Sequence, residues 1–382
     1  MILPTALAAL LSLPSPAGSG AAEPHLAART DGTVMMSWLE GGVLKFASLK
    51  NGRWSPARTI AEGKELIVNW ADFPSIVDDG RGVLFAHWLQ QSGKGKYSYD
   101  VWVTSSSDDG KTWRKPLLVN RDGKQAEHGF VSLAPLPAGG VALAWLDGRG
   151  MKAEEHGGHG GHEGSMMLRY AELDATLKVR NESVLDARVC ECCSTGMAMT
   201  SRGPLVAYRD RSSDEVRDIA FTRLTGGKWS NPAHVRVDNW KIPGCPVNGP
   251  QVDARGERAA LAWFTAAKEK PQVQVAFSRD AGETFGRAIR VDRGNAAGRV
   301  DVLLLNDGSA LVTWIEGAAA NAGIFARRVY PDGKMDEPVK LAATSSARAS
   351  GFPRAVLAGT TAYFAFTDPA AKTVKVQSLS TR

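Results

Sequence analysis

The chain has 382 residues, of which 43% are apolar and 23% are charged, and its formal net charge is +6. This is an ordinary globular composition, with enough chain for a large closed architecture. The basic residues are scattered and form no block of Lys or Arg, so the charge gives no reason to expect a nucleic-acid partner.

The first residues have the features of an export signal. The apolar run from Ile2 to Leu13 is too short to span a membrane, and Ser19-Gly20-Ala21 fits a small-x-small cleavage pattern. No Lys or Arg precedes the run, which departs from the usual signal. We predict a signal peptide at 1–21, a single domain at 24–382 without a transmembrane segment, and a periplasmic or secreted location.

Seven β-type segments, each ending in an aromatic residue, recur along the rest of the chain. The aromatic residues are spaced 50, 57, 63, 55, 51 and 52 residues apart: Trp38, Trp88, Trp145, Tyr208, Trp263, Trp314 and Phe366. Gly- or Asp-containing turns precede these segments, and a second strand follows each one. Repeated four-stranded units of this length predict an all-β fold, the β-propeller, and no helix.

We predict seven blades, with the last one either incomplete or completed by the N-terminal chain, and six blades as the alternative. The strands of a blade are named A (innermost) to D (outermost), so the recurring aromatic residue ends strand B. We assign these seven aromatic residues to packing between blades.

Two turns between strands C and D share the pattern S-x-D-x-G-x-T-aromatic. In such a turn the Asp accepts local N–H groups, the Gly supplies a positive φ, and the aromatic ring fixes the turn to the blade. The residues expected in these structural roles are Ser106, Asp108, Gly110 and Trp113 in the first turn, and Ser278, Asp280, Gly282 and Phe285 in the second.

These turns resemble the Asp-boxes, or BNR repeats, of the sialidase (neuraminidase) superfamily. The resemblance covers most of residues 25–380. Sialidases of this type have six blades, whereas seven units are counted here. The resemblance implies an exo-α-sialidase-like glycoside hydrolase site with three arginines, a Tyr nucleophile activated by Glu, and an acid/base Asp.

Several features of the sequence depart from that sialidase pattern. The early Arg-Ile-Pro motif is absent, and Tyr363 lies within a strand rather than at a loop. The catalytic candidates by position are Tyr208, Asp210 and Asp72.

The loops that carry unusual residues share one face of the predicted propeller. Because strands in a blade alternate in direction, the B→C and D→A loops open on one face, here called the mouth, and the Asp-boxes lie on the other. We expect a ligand-binding face at the mouth, built mainly from the loops of units 3–5. Its candidate ligand-binding residues are Arg209, Arg211, Arg217, Asp218, Trp240, Asn248, Arg299 and Arg354.

All four cysteines fall in two neighbouring D→A loops. Cys190, Cys192 and Cys193 form a C-x-C-C motif, and Cys245 lies in the next such loop. In an exported protein, structural disulfides are one interpretation, and a metal or redox site is the other. The spacing does not fit a zinc ribbon, but adjacent thiols suit Cu(I).

A His/Gly/Met-rich insertion at 151–167 lies in the B→C loop of unit 3. His156, His159 and His162 could bind copper or zinc, and a tolerated low-complexity loop is the alternative. The prediction is therefore an exported, monomeric propeller with a metal, glycan or small-molecule ligand. Metal binding through Cys, His and Met is the first hypothesis, sialidase-like hydrolysis or glycan binding the alternative, and catalysis remains open.

Overall fold

The computed structural model describes residues 10–151 and 164–382 as seven antiparallel sheets of four or five strands. The innermost strand of each sheet contacts the innermost strand of the next, and the seventh contacts the first, which closes a ring. The prediction of an all-β propeller with seven blades is confirmed, and the six-bladed alternative is wrong. Within the described ranges, no helix is long and apolar enough to cross a membrane.

The strands of the first three blades follow the chain after β1 (Leu10–Leu13). Blade 1 contains β2 (Ala21–Ala28), β3 (Val34–Glu40), β4 (Val43–Lys50), β5 (Arg53–Trp54) and β6 (Arg58–Glu62). Blade 2 contains β7 (Ser75–Asp78), β8 (Leu84–Gln91), β9 (Tyr99–Ser106) and β10 (Leu117–Leu118). Blade 3 contains β11 (His128–Pro135), β12 (Val141–Asp147), β13 (Met166–Leu173) and β14 (Val179–Val189).

The remaining four blades complete the ring. Blade 4 contains β15 (Gly196–Thr200), β16 (Gly203–Arg209), β17 (Ile219–Thr225), β18 (Lys228–Trp229) and β19 (Ala233–His234). Blade 5 contains β20 (Gln251–Arg255), β21 (Arg258–Thr265), β22 (Gln272–Ser278) and β23 (Ile289–Arg290). Blade 6 contains β24 (Ala296–Leu304), β25 (Ala310–Glu316), β26 (Ala322–Val329) and β27 (Val339–Thr344). Blade 7 contains β28 (Arg354–Ala358), β29 (Thr361–Asp368), β30 (Thr373–Ser380) and β1. Short 3-10 turns lie at Gly148–Gly150, Ala267–Glu269, Ala319–Asn321 and Arg348–Ser350.

Blade 7 takes its outermost strand from the N-terminal segment. β1 pairs antiparallel with β30, with Leu10 opposite Leu379 and Leu13 opposite Val376. This strand lies inside the segment predicted as a signal peptide, which stays a prediction. Cleavage near Ala21 would remove β1 and leave β30 as an unpaired edge.

The aromatic residues that end the B strands are buried between neighbouring blades. All seven are at most 4% exposed. The indole N–H groups of Trp38, Trp145 and Trp314 donate to Glu40, Asp147 and Glu316, two residues further along the chain in each case. Their polar atoms are thus satisfied while the rings fill the space between blades.

The two Asp-box turns have the same hydrogen bonds. The Ser106 hydroxyl lies 2.7 Å from Asp108 Oδ1, and Thr112 donates to Asp108 from its backbone N–H at 2.9 Å. The second turn repeats these contacts with the same distances: Ser278 to Asp280 at 2.7 Å and Thr284 to Asp280 at 2.9 Å.

Each Asp-box is fixed against the preceding blade by its aromatic ring. Trp113 meets Phe46 of blade 1 edge-on at 5.9 Å, and Phe285 meets Phe221 of blade 4 at 4.9 Å. Gly110, with φ +74°, lies against Phe46 so closely that an added Cβ would come within 2.3 Å of the ring. Only glycine fits this turn, for both conformational and steric reasons.

Candidate functional site

Three segments of blades 3–5 meet at the mouth. The cysteine loop (190–195) joins β14 to β15, the arginine loop (210–218) joins β16 to β17, and the Cys245 loop (235–250) joins β19 to β20. Strand order places all three segments on the face opposite the Asp-box turns, because each blade is antiparallel throughout. The cysteine loop and the Cys245 loop touch directly, since a Cβ added at Gly249 would lie 1.7 Å from the Ser194 carbonyl oxygen.

Arg209 ties these segments together. Its guanidinium is buried and donates to the carbonyl oxygens of Asn248, Arg217 and Phe264 at 2.6–2.9 Å. The same group lies over the Trp240 ring, 4.8 Å from its centre. Because backbone carbonyls already accept from its donors, Arg209 has a structural role and stabilises the loops of the mouth.

The sulfur atoms of the cysteine loop are grouped without a disulfide. All four cysteines are free thiols. The sulfurs of Cys190, Cys192 and Cys193 all lie within 4.8 Å of one another, and those of Cys190 and Cys193 are 2.6 Å apart. Cys190 and Cys193 are buried, Cys192 is half-buried and Cys245 is exposed.

The surroundings of the three grouped thiols favour one thiolate. Burial alone would raise the pKa of Cys190, but the neighbouring thiols of Cys192 and Cys193 and the charge of Arg217 hold that pKa well below its usual value. Arg217 Nη1 donates to the Cys190 sulfur at 3.4 Å. The pKa of Cys192 is raised well above normal by the other thiols, with Cys190 first, and that of Cys193 is raised first by burial.

A buried ion-pair network surrounds the thiols. Glu191 accepts from Arg217 at 2.7 Å and also from Arg211, and Glu215 accepts from Arg211 at 2.6 Å and from Arg217 at 2.8 Å. Glu191, Arg211 and Arg217 are each at most 8% exposed. Through Arg217 this network lies beside the sulfur of Cys190, which a metal would require as an anion.

The side chains of the other predicted ligand-binding residues mostly form hydrogen bonds with backbone groups. Asp218 accepts from the backbone N–H groups of Asn239 and Trp240. The Asn248 side chain accepts from the Arg299 N–H at 2.7 Å. The Arg299 guanidinium donates to three carbonyl oxygens of residues 346–351, and it lies over Trp70 at 4.7 Å.

A narrow cavity of about 70 Å³ lies among the inner strands. Its wall is shared by blades 1 to 5 and blade 7, and its polar residues include His25, Asp72, Ser132, Thr195, Gln251 and Arg354. The cavity adjoins the cysteine loop, because Ser194 and Thr195 line it directly after Cys193. Trp70 and Phe73 pack on Phe352 nearby, at 5.8 and 6.0 Å between ring centres.

Polar atoms of this axial cavity are left without partners. Asp72 Oδ1 accepts from the Phe130 N–H at 2.7 Å, whereas Asp72 Oδ2, Arg354 Nε and Nη1, and Ser194 Oγ make no hydrogen bond to any described residue. Burial raises the pKa of Asp72 well above its normal value and so favours the neutral form of this carboxyl. Burial likewise lowers the pKa of His25 well below its normal value.

Glu127 interacts through its charge with both the axial cavity and the thiols. Its Oε1 accepts from the Tyr99 hydroxyl at 2.6 Å. Burial, with smaller contributions from the negative charges of Glu191 and Cys190, raises the pKa of Glu127 to about 7. Sequence reasoning did not select Tyr99 or Glu127, and only their positions near D→A loops could have drawn attention to them.

The remaining catalytic candidates lie apart from this cavity's lining. The buried Tyr208 hydroxyl donates to Asp186 of blade 3 at 2.6 Å, and burial raises its pKa. Asp210 Oδ2 lies 3.1 Å from His234 Nε2. His156, His159 and His162 lie outside the described residues, whereas Met166 begins β13 and is buried.

A second acidic cluster was not predicted from the sequence. His128 Nε2 lies 3.2 Å from Asp122 and 3.6 Å from Asp147, and Arg149 donates twice to Asp147 at 2.7 Å. The cluster is thus neutralised by Arg149 and by His128, whose pKa these carboxylates raise against the opposing effect of burial. It anchors the start of the 151–167 insertion.

No model of a known family matches the chain, and no curated protein matches it in sequence. Among solved structures, polysaccharide lyase Uly1 is similar with a TM-score of 0.56 and 10% identity, over 94% of this chain and 90% of that one. The Penicillium chrysogenum α-L-arabinanase complexed with arabinobiose has a TM-score of 0.52 and 12% identity, over 81% and 93%. The Hadza microbial sialidase Hz136 has a TM-score of 0.47 and 13% identity over 77% of this chain, which spans 63% of that chain. At these identities the likeness is one of fold alone, and it rests on the two structures with TM-scores above 0.5.

Proposed function

We propose that this protein is an exported metal-binding propeller that holds a soft ion, Cu(I) foremost, on Cys190, Cys192 and Cys193. The observation that carries the proposal is the grouping of three unbonded sulfurs within 4.8 Å. Thiolates about 2.3 Å from a shared ion, as in zinc sites, would lie roughly 4 Å apart in a planar triangle. The three sulfurs are already grouped within 4.8 Å, and the sulfurs of Cys190 and Cys193, which lie 2.6 Å apart, would have to separate to share an ion.

The charges around the thiols support an anionic sulfur site. Arg217 contacts Cys190, and Arg211 and Arg217 flank Glu191 in the buried network. In the metal-free protein Cys192 and Cys193 have raised pKa values, so binding would release their protons and weaken as the pH falls.

The donor set favours Cu(I) over Zn²⁺. Structural zinc is almost always tetrahedral with four ligands, whereas three sulfurs form the group found among the described residues. Cu(I) is soft and accepts thiolate and thioether sulfur. The proposal keeps His156, His159 and His162 as additional copper or zinc ligands of the insertion.

Competition for Cu(I) tests this proposal. Reduced protein is titrated anaerobically against the Cu(I)–bicinchoninate complex, and we expect about one ion bound per chain. Cys192→Ser should weaken binding at least 100-fold, because it removes one of three ligands, whereas Met199→Leu on β15 should bind like the parent. Equal binding by Cys192→Ser, with circular dichroism showing the same fold, would exclude the site.

A second candidate function is binding or cleavage of a glycan in the axial cavity. Uly1 is a polysaccharide lyase and the Penicillium enzyme an arabinanase, and both share this fold. The specific support is the set of unpartnered polar atoms on Asp72, Arg354 and Ser194, which could bond to sugar hydroxyl or carboxylate groups.

Calorimetry with oligosaccharides and a fluorogenic sialoside assay test this second candidate. Binding that is lost in Asp72→Asn would support the cavity, and turnover that is lost in Tyr208→Phe would support a sialidase-like hydrolase. Neither heat nor turnover with a panel of neutral and acidic glycans would reject it.

A further inference from the structure

The four thiols are ordered from solvent to interior. Cys245 is exposed, Cys192 is half-buried, and Cys190 and Cys193 are buried with 1% of their surface accessible. Among these four cysteines Cys245 is the exposed one, so an ion arriving from solvent would meet Cys245 before the inner three.

Contacts between loops place Cys245 beside this inner group. Val247, two residues after Cys245, packs in the same apolar cluster as Cys192, and Gly249 is pressed against the Ser194 backbone. Cys245 is thus held near Cys192, the outermost of the three grouped thiols, by the packing of the residues that follow it in the chain.

A soft ion travels between proteins by ligand exchange rather than as a free aqua ion, because its bonds to sulfur are much stronger than its bonds to water. Each exchange forms one metal–sulfur bond before another breaks. The incoming thiol gives up its proton and the departing thiolate takes one, so no electron is transferred.

We propose that Cys245 is the loading ligand of the metal site. It takes Cu(I) from a donor that presents the ion on thiolate sulfur and passes it to Cys192, from which Cys190 and Cys193 draw it into the interior. This inference rests on the proposed three-sulfur site and adds to it a route and a class of partner, a carrier of thiolate-bound Cu(I).

The rate of loading tests the route separately from the site. Stopped-flow absorbance of the copper–thiolate bands follows transfer from Cu(I)–glutathione, a small donor, and from Cu(I)-loaded metallothionein, a protein donor. Cys245→Ser should slow transfer at least tenfold while the dissociation constant changes less than threefold. Cys245→Met should restore much of the rate, because thioether sulfur also accepts Cu(I). Lys241→Ser, at an exposed position of the same loop, serves as the control and should load at the parent rate.

The outcomes separate the two proposals. A parent protein that binds no Cu(I) at equilibrium would remove the site itself. Normal equilibrium binding with an unchanged loading rate in Cys245→Ser would overturn the loading role alone. If Cys245→Ser instead lowers the affinity for Cu(I) by the same factor as it speeds release, Cys245 is a permanent ligand of the site. That result would also overturn the loading role. Slowing with only one of the two donors would support the route and identify whether the partner is a small thiol or a protein.

Discussion

The cysteine loop and the axial cavity are adjacent and equally buried, yet they handle charge in opposite ways. Around the thiols, Glu191 is paired with Arg211 and Arg217, so the charges persist. In the cavity, Asp72 has an unpartnered oxygen, and burial raises its pKa, which favours the protonated, uncharged form. Burial of an ion is costly unless it is paired or neutralised, and this protein shows both solutions side by side.

This difference separates the two sites by the ligands that suit them. A network of ion pairs that includes a thiolate suits a cation, and removing one of its charges is costly. A cavity with neutral acids and free donors is ready for an uncharged or hydrogen-bonding ligand. Removing a carboxylate charge from each region should therefore change the unfolding free energy by different amounts.

The largest expected effect comes from neutralising Glu191. Glu191→Gln leaves two buried guanidiniums with less negative charge, and breaking a buried ion pair costs about 3 kcal/mol of unfolding free energy. The matched change in the cavity, Asp72→Asn, should cost less than about 1 kcal/mol, because burial already favours the neutral form of that carboxyl and Asn can still accept from Phe130. Urea unfolding at pH 7 measures both. Equal losses in the two variants would contradict the contrast.

The next effect concerns the contact that holds the cysteine loop against the Cys245 loop. Gly249→Ala would place a Cβ 1.7 Å from the Ser194 oxygen, and overpacking of this kind costs about 2 kcal/mol. Gly244 lies in the same loop with no atom within 4 Å of its added Cβ, so Gly244→Ala is the control. We expect a lower midpoint in urea and weaker Cu(I) binding for Gly249→Ala only. If both variants unfold at the parent midpoint, the two loops are not held by this contact.

The fold could be predicted because its determinants recur along the sequence. The B-strand aromatic residues, the Asp-box turns and the turn spacing are local patterns, and seven copies specify a closed ring. Convergence of the cysteines followed from topology, since D→A loops of neighbouring blades open on one face.

The detailed contacts could not be predicted because they join residues far apart in sequence. Nothing near Tyr208 indicates that its hydroxyl meets Asp186 of another blade, nor that Arg209 and Arg299 donate to backbone carbonyls. The apolar run that resembles an export signal also forms β1, because a signal and an outer strand both require apolar side chains.

The last expected effect is a difference in pH dependence between the two regions. Glu127 has a folded-state pKa of about 7, raised by burial, above the unfolded value near 4.5. Its stability contribution is therefore fully present below pH 4.5 and is lost as the pH rises through 7, at up to about 1.4 kcal/mol per pH unit. Glu127→Gln should remove this slope, so the variant gains stability relative to the parent between pH 5 and 8.

The control for this pH effect comes from the paired network. The pKa of Glu215 is lowered by its hydrogen bonds from Arg211 and Arg217, so its contribution is lost only as the pH falls below the unfolded value near 4.5. Glu215→Gln should therefore leave the slope between pH 5 and 8 unchanged, whatever its effect on absolute stability. Unfolding free energies at half-unit pH steps measure both. A slope that persists in Glu127→Gln but disappears in Glu215→Gln would mean that the titrating charge belongs to the thiol region, and the contrast between paired and neutralised burial would be reversed.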